Sequence, residues 1–251
     1  MDKVWVWGGP TPLWGGSTAK GGAARGARYF GARNVAYQYG PNNAEMLETF
    51  RSFKRVLCPV SRHCRSVDVG DELADARRIS RLSRTYRNIV GAVVDDLSMP
   101  ANFPRIAGKL AALRAALRAA NPHLALYGVV YAHHLETDFT AVVPHLDGVN
   151  LWVWNPRDLG RMKAFVRQAR KVFASKPILM GLFMHDYFSD DEGTARKPVP
   201  MKLLKLQFET AAALLRGRQV DGLVILGDRE IAKHPAEAEW IRRFLKTEFQ
   251  T

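Results

Sequence analysis

Residues 89–96 read Ile-Val-Gly-Ala-Val-Val-Asp-Asp, six apolar residues running without interruption into two aspartates. A half-exposed strand alternates apolar with polar residues, whereas a strand covered on both faces is apolar throughout, so the segment predicts a buried strand of a parallel sheet. Neighbouring strand residues point to opposite sides, so Asp95 and Asp96 cannot both face one side while regular pairing lasts. Where pairing stops, both are able to turn toward the same space. Two aspartates buried without partners would be costly. The alternative to a working role is a helix cap or an ion pair with an arginine.

Working outward, seven more short runs rich in apolar, β-branched or aromatic residues stand at 4–7, 34–39, 55–60, 124–131, 148–154, 177–184 and 220–226. Each is followed by a segment with helical periodicity. Asp71 and Glu72 open a helix that closes at Arg81 and Arg84, charges that complement its dipole. Residues 103–120 stop at Asn121-Pro122, Asn155-Pro156 caps a helix reaching Val172, and Pro200 and Pro235 precede the last two helices. Eight strands alternating with helices imply parallel pairing and right-handed crossovers, and the count of eight favours closure. The fold expected is α/β, a single (β/α)8 TIM barrel over residues 1–251, a length that suits barrels of about 250 residues. No G-x-G-x-x-G or Walker A pattern follows any strand. The glycine-rich stretch 8–31 reads as a first strand-to-helix loop over the site.

Lys+Arg outnumber Asp+Glu by 37 to 24, giving a net charge of +13. Arginines recur along predicted helices (Arg77, Arg78, Arg81, Arg84; Arg105, Arg114, Arg118), as a solvated outer face would require. No run of five basic residues and no zinc-finger, helix-turn-helix or RNA-binding signature occurs, so nucleic acid is not expected as a partner. No apolar run approaches the roughly 18 residues of a membrane span. Cys58 and Cys64, with His63 between them, are too few for a zinc site or a disulfide scaffold, and Cys58 reads as a small core residue. Neither a cofactor nor a metal is expected. The first predicted strand begins almost at once, which predicts a cytoplasmic location if the chain is complete and a secreted or periplasmic one if a signal peptide has been removed.

In barrels of this kind the working residues lie at the carboxyl ends of the strands. Here those positions are rich in carboxylates and aromatic rings: Trp7, Tyr39, Asp95 and Asp96, Tyr131, His133 and His134, Trp152, Trp154 and Asn155, His185, Asp186 and Tyr187, and Asp228 and Glu230. Paired carboxyls flanking a glycosidic bond divide the work of general acid and nucleophile or base, with Asp186 a candidate to face Asp95 and Asp96. Aromatic rings offer flat apolar faces for sugars, Trp152 and Trp154 lying on one side of their strand.

The 89–96 segment resembles the fourth strand of barrel glycoside hydrolases, in particular the hexosaminidase-type families in which neighbouring acids end that strand. The resemblance implies that Asp95 orients the substrate's acetamido group and Asp96 protonates the leaving oxygen. Residues 147–155 (Asp-Gly-Val-Asn-Leu-Trp-Val-Trp-Asn), 179–187, 220–227 and 237–241 resemble bacterial glycoside-hydrolase-like barrels. Strand four lacks the Asn-Glu pair of the large retaining clan, and strand seven offers Asp186 where that clan has Glu.

The expected function is therefore a carbohydrate-active hydrolase acting on an oligo- or polysaccharide, acidic glycans included. Asp96 is the expected general acid/base and Asp95 or Asp186 the nucleophile or orienting carboxylate. Trp7, Tyr39, Tyr131, His134, Trp152, Trp154, Asn155, His185, Tyr187 and Asp228 are the expected sugar contacts. Two alternatives stand beside it: a metal-dependent sugar isomerase or epimerase using His133, His134 and His185 with Asp96, Glu136 or Asp228, and a non-catalytic barrel that binds a glycan or polyanion.

Overall fold

The computed structural model describes residues 1–11, 19–61, 70–97, 103–189 and 197–249. In chain order its elements are β1 (Val4–Gly8), α1 (Gly22–Phe30), β2 (Asn34–Tyr37), α2 (Ala44–Glu48), β3 (Arg55–Ser61), α3 (Gly70–Leu82), β4 (Ile89–Val94), α4 (Phe103–Arg118), β5 (Ala125–Tyr131), β6 (Gly148–Trp152), α5 (Met162–Phe173), β7 (Ile178–Phe183), α6 (Met201–Arg216), β8 (Gly222–Leu226) and α7 (Pro235–Phe249). All eight strands pair in parallel with their sequence neighbours, and β1 closes the ring on β8, Trp5 opposite Val224. The chain is a (β/α)8 barrel. The strands are almost wholly buried, as their apolar runs require, because helices cover the outer face and side chains fill the inner one.

Two strands begin with the same device. β6 is preceded by Asp147 and β8 by Asp221, each followed by glycine. Asp147 accepts the Leu126 N–H at 2.9 Å and is held by Arg114 and Arg118 at 2.7 and 2.9 Å. Asp221 accepts the Ile178 N–H at 2.9 Å and pairs with Arg170 at 2.7 Å. Each carboxylate thus ties its own strand to the strand before it and to the helix that precedes that earlier strand, α4 for Asp147 and α5 for Asp221, with charge-assisted bonds. A Cβ at Gly148 would sit 2.3 Å from the Tyr127 ring, and one at Gly222 would sit 2.8 Å from Leu179. The glycines are therefore needed for close approach. These braces lie at the amino ends of the strands, where a layer of Asn34, Arg55 and Trp5 also closes the barrel, the Arg55 guanidinium 5.2 Å from the Trp5 ring.

The sequence expectations fail in two stretches. No helix of α type joins β5 to β6: the segment makes only two single 3₁₀ turns, Ala132–His134 and Val143–His145. Pro144 within it has no backbone N–H to give to a helix, and the second turn holds that proline at its start. Within the stretch 8–31, residues from Gly22 to Phe30 form α1, which buries Ala23, Ala24, Ala27 and Phe30 and ends on Gly31 in the left-handed conformation (φ 66°). Residues 12–18, with Trp14, lie outside the described residues, as do His63 and Cys64. Cys58 is buried in β3, and burial pushes its thiol up to about 12.

Candidate active site

The carboxyl ends of the strands open onto a cavity of about 430 Å³, a size suited to a small ligand. Its floor is Trp7, Val129, Phe183 and Leu226. Trp7 meets Trp152 edge to face at 5.9 Å, and Trp152 leans on Phe183 at 4.7 Å. One wall is an aromatic file: Tyr131 meets Trp154 edge-on at 5.5 Å, and Trp154 stacks on Tyr187 at 5.7 Å and 27°. Such rings present flat, apolar faces with little freedom to lose on binding. Tyr39 stands opposite, its hydroxyl accepting from Trp7 Nε1 at 3.4 Å and its ring covered by the Arg229 guanidinium at 5.5 Å.

Asp95 and Asp96 both line this cavity. β4 ends at Val94, and the Asp95 N–H still bonds to Ser61 O at 3.0 Å, so Asp95 keeps the strand's inward direction. Asp96 then takes the left-handed backbone conformation (φ 49°), which breaks the alternation and brings the second carboxylate round to the same space. Asp95 Oδ1 accepts the Asp96 N–H at 3.0 Å. Asp96 Oδ1 accepts the Tyr131 hydroxyl at 2.8 Å. Burial, and then the charge of Asp96, holds Asp95 well above the ordinary carboxylate range, with Arg229 pulling the other way. Asp95 therefore keeps its proton at pH values where a solvated aspartate has lost it. Burial likewise raises the Tyr131 hydroxyl, reinforced by Asp96 and Asp95.

The remaining sequence candidates divide. Trp7, Tyr39, Tyr131, His134, Trp152, Trp154 and Tyr187 line the cavity. Asn155 does not: its Oδ1 accepts the Arg157 N–H at 3.0 Å and caps the 3₁₀ turn Pro156–Arg161 that leads into α5. Asp186 does not line it either, since its Oδ1 accepts the Ser189 N–H at 3.0 Å in a local turn, and it faces no carboxylate of β4 across the mouth. His185 is buried behind the wall, its Nδ1 2.7 Å from Nε2 of His234. Asp228 sits against Gly8, Gly22 and Gly26, and a Cβ at Gly8 would come within 2.2 Å of its carboxyl. Burial and Glu230 push Asp228 up to about 7, against backbone hydrogen bonds from Arg229 and Gly9.

Two polar lining residues were not among the expected catalytic or sugar-binding residues. His133, weighed only as a metal ligand, packs against His134 with ring centroids 4.0 Å apart, and burial lowers both imidazoles below their ordinary range. Arg229 brings a cation into the cavity, where Glu230, Tyr187 and Tyr39 outweigh the cost of burial and hold its charge. The only signal for it was Asp-Arg-Glu at 228–230, directly after β8. Among the described residues, no three His, Cys, Asp or Glu side chains converge to hold a metal ion.

No family profile matches the sequence, and no curated protein sequence matches it. The structure is similar to solved glycoside hydrolases. A chitinase from Chromobacterium violaceum superposes with a TM-score of 0.57 and 14% identity, over 94% of this chain and 99% of that one. A spore cortex-lytic enzyme from Bacillus megaterium does so at 0.59 and 9%, over 96% and 73%. A β-D-glucuronidase from Dictyoglomus thermophilum does so at 0.61 and 11%, over 90% of this chain but 46% of that one. The chain spans half or less of the length of the β-glucuronidases it matches. At these identities the likeness is one of fold, the (β/α)8 barrel found in glycoside hydrolases. No helix among the described residues is long and apolar enough to cross a membrane.

Proposed function

We propose that this chain is a carbohydrate-active hydrolase that cleaves a glycosidic bond with Asp95 and Asp96. The observation that carries the reading is the placement of two adjacent carboxylates at the mouth of an aromatic-walled cavity, one of them proton-retaining through burial. Glycosidases that use two enzyme carboxylates set them on opposite sides of the scissile bond. Asp95 and Asp96 are neighbours on one strand end and are the only carboxylates among the described lining residues, so neither can attack from the far face. That arrangement suits substrate-assisted hydrolysis, in which the acetamido oxygen of a 2-acetamido sugar supplies the nucleophile.

Asp96, the less buried of the two, donates the proton to the leaving oxygen, and Asp95 orients the acetamido group. Trp152, Trp154 and Tyr39 hold the sugar. The spore cortex-lytic enzyme and the chitinase lend the reading the weight of a shared fold and no more.

The test is hydrolysis of 4-nitrophenyl N-acetyl-β-glucosaminide and of chitooligosaccharides by wild type and Asp96→Asn. Positioned acid catalysis contributes about 10²–10⁴-fold, so the variant should lose nearly all turnover while its circular dichroism is unchanged. A folded Asp96→Asn protein with undiminished turnover would end the assignment.

A further inference from the structure

Behind the cavity lies a carboxylate that neither touches it nor belongs to the acid pair. Glu230 is wholly buried. Its Oε1 accepts two hydrogen bonds, from Arg229 Nε at 2.9 Å and from the Tyr187 hydroxyl, while its Oε2 is buried without a hydrogen-bond partner. Both donors line the cavity, and they come from different strand ends: Tyr187 from the segment after β7 and Arg229 from the segment after β8. Beyond them the contacts continue around the mouth. Tyr187 stacks on Trp154, and Arg229 lies over Tyr39. A single oxygen atom therefore joins the aromatic wall to its opposite side, in the order Trp154, Tyr187, Glu230, Arg229, Tyr39.

We propose that Glu230 is a positioning residue of this site: by accepting from Tyr187 and Arg229 at one oxygen, it sets the separation of the Trp154 and Tyr39 sides of the cavity and so how closely a sugar ring is gripped between them. The inference rests on the reading above only in taking the ligand to be a sugar. Three features of the pocket favour it. The carboxylate gives up water entirely and leaves one oxygen unpaired, a cost the fold accepts only where the other oxygen makes bonds that matter. The two bonds are charge-assisted, hence short and directional. Tyr187 and Arg229 follow different strands on loops, and the Glu230 oxygen is an anchor common to both.

A grip of this kind acts on the bound sugar before and during reaction alike, so its loss falls on KM and leaves kcat nearly unchanged. For Glu230→Ala, KM for 4-nitrophenyl N-acetyl-β-glucosaminide should rise about tenfold or more with kcat changed by less than about threefold. Tyr187→Phe should raise KM by a smaller factor, and the double variant should be no worse than Glu230→Ala, because both changes break one linkage. Effects that multiply independently, or an unchanged KM in a folded Glu230→Ala protein, would overturn the proposal. Should the alanine variant fail to fold, Glu230→Gln, whose amide oxygen can still accept both bonds, should fold and keep KM within about threefold of wild type. A tenfold rise in that variant would count against the geometric role.

Two further measurements separate this inference from the hydrolase reading. If wild type does not turn over the chromogenic sugar but chitotriose quenches its tryptophan fluorescence, the hydrolase reading fails while the Glu230 variants are still compared by Kd. In the ligand-free protein, the emission contributed by Trp154, obtained by subtracting the Trp154→Phe spectrum, should shift to longer wavelength and gain acrylamide quenching in Glu230→Ala. Unaltered Trp154 emission would show that Glu230 does not hold Tyr187 in place.

Discussion

The Tyr131 hydroxyl donates to Asp96 Oδ1 at 2.8 Å, fastening the end of β5 to the acid that ends β4. The bond aims one oxygen of a carboxylate that lines the cavity. Removing it in Tyr131→Phe should lower kcat about tenfold with a smaller change in KM, since a hydrogen bond to a charged group is worth about 1.5–3 kcal/mol. Steady-state kinetics on the chromogenic glycoside would check this, and an unchanged kcat would remove Tyr131 from the catalytic arrangement.

Asp228 makes the stability of the fold depend on pH. Its folded-state value is pushed up to about 7 from an ordinary 3.8. The folded protein therefore binds its proton more tightly than the unfolded chain does. Its contribution is fully present below about pH 4 and is lost as pH rises through about 7, by on the order of 4 kcal/mol. Urea unfolding of wild type and Asp228→Asn at pH 4, 5.5 and 8 should show the variant gaining on wild type as pH rises. A constant difference across that range would mean that Asp228 is not held in its neutral form.

Gly181 faces the Trp152 ring at a distance that admits no side chain. A Cβ there would lie 2.1 Å from Trp152 Cδ2. Gly181→Ala must displace the indole that supports the cavity floor, at a cost of roughly 1–3 kcal/mol. The melting temperature should fall and chitotriose binding should weaken together. A variant that melts earlier but binds as well as wild type would show that Trp152 can move without touching the sugar site.

What could be read from the sequence follows from what each element needs. Parallel strands buried on both faces must be apolar along their length, which is why all eight were visible and why 89–96 already pointed to a working end. The cavity rings Trp7, Tyr39, Tyr131, Trp152, Trp154 and Tyr187 were visible for a related reason: bulky rings at strand ends have few other places to go. Asp186, His185, Asp228 and Asn155 stand in similar positions along the chain but turn away, and what turns them is local. Ser189, His234, Gly9 and Arg157 supply partners that no spacing announces. Arg229 went unseen for the opposite reason, since a cation between two acids after a strand has the look of a solvated loop. The helix expected between β5 and β6 shows that apolar residues in rough period do not suffice where a proline interrupts them.

Tyr39 and Asp96, which follow β2 and β4 at the mouth, both hold backbone angles that glycine adopts far more readily (φ 68° and 49°). Each costs on the order of 1 kcal/mol, and Asp96 adds like-charge repulsion with Asp95. Among the described residues, two of the four non-glycine positions with positive φ stand at this rim, so disabling it should make the protein hardier. Asp96→Asn, and still more Asp96→Gly, should survive heating at least as well as wild type in a calorimeter, because endurance and reactivity draw on the same two residues in opposite directions.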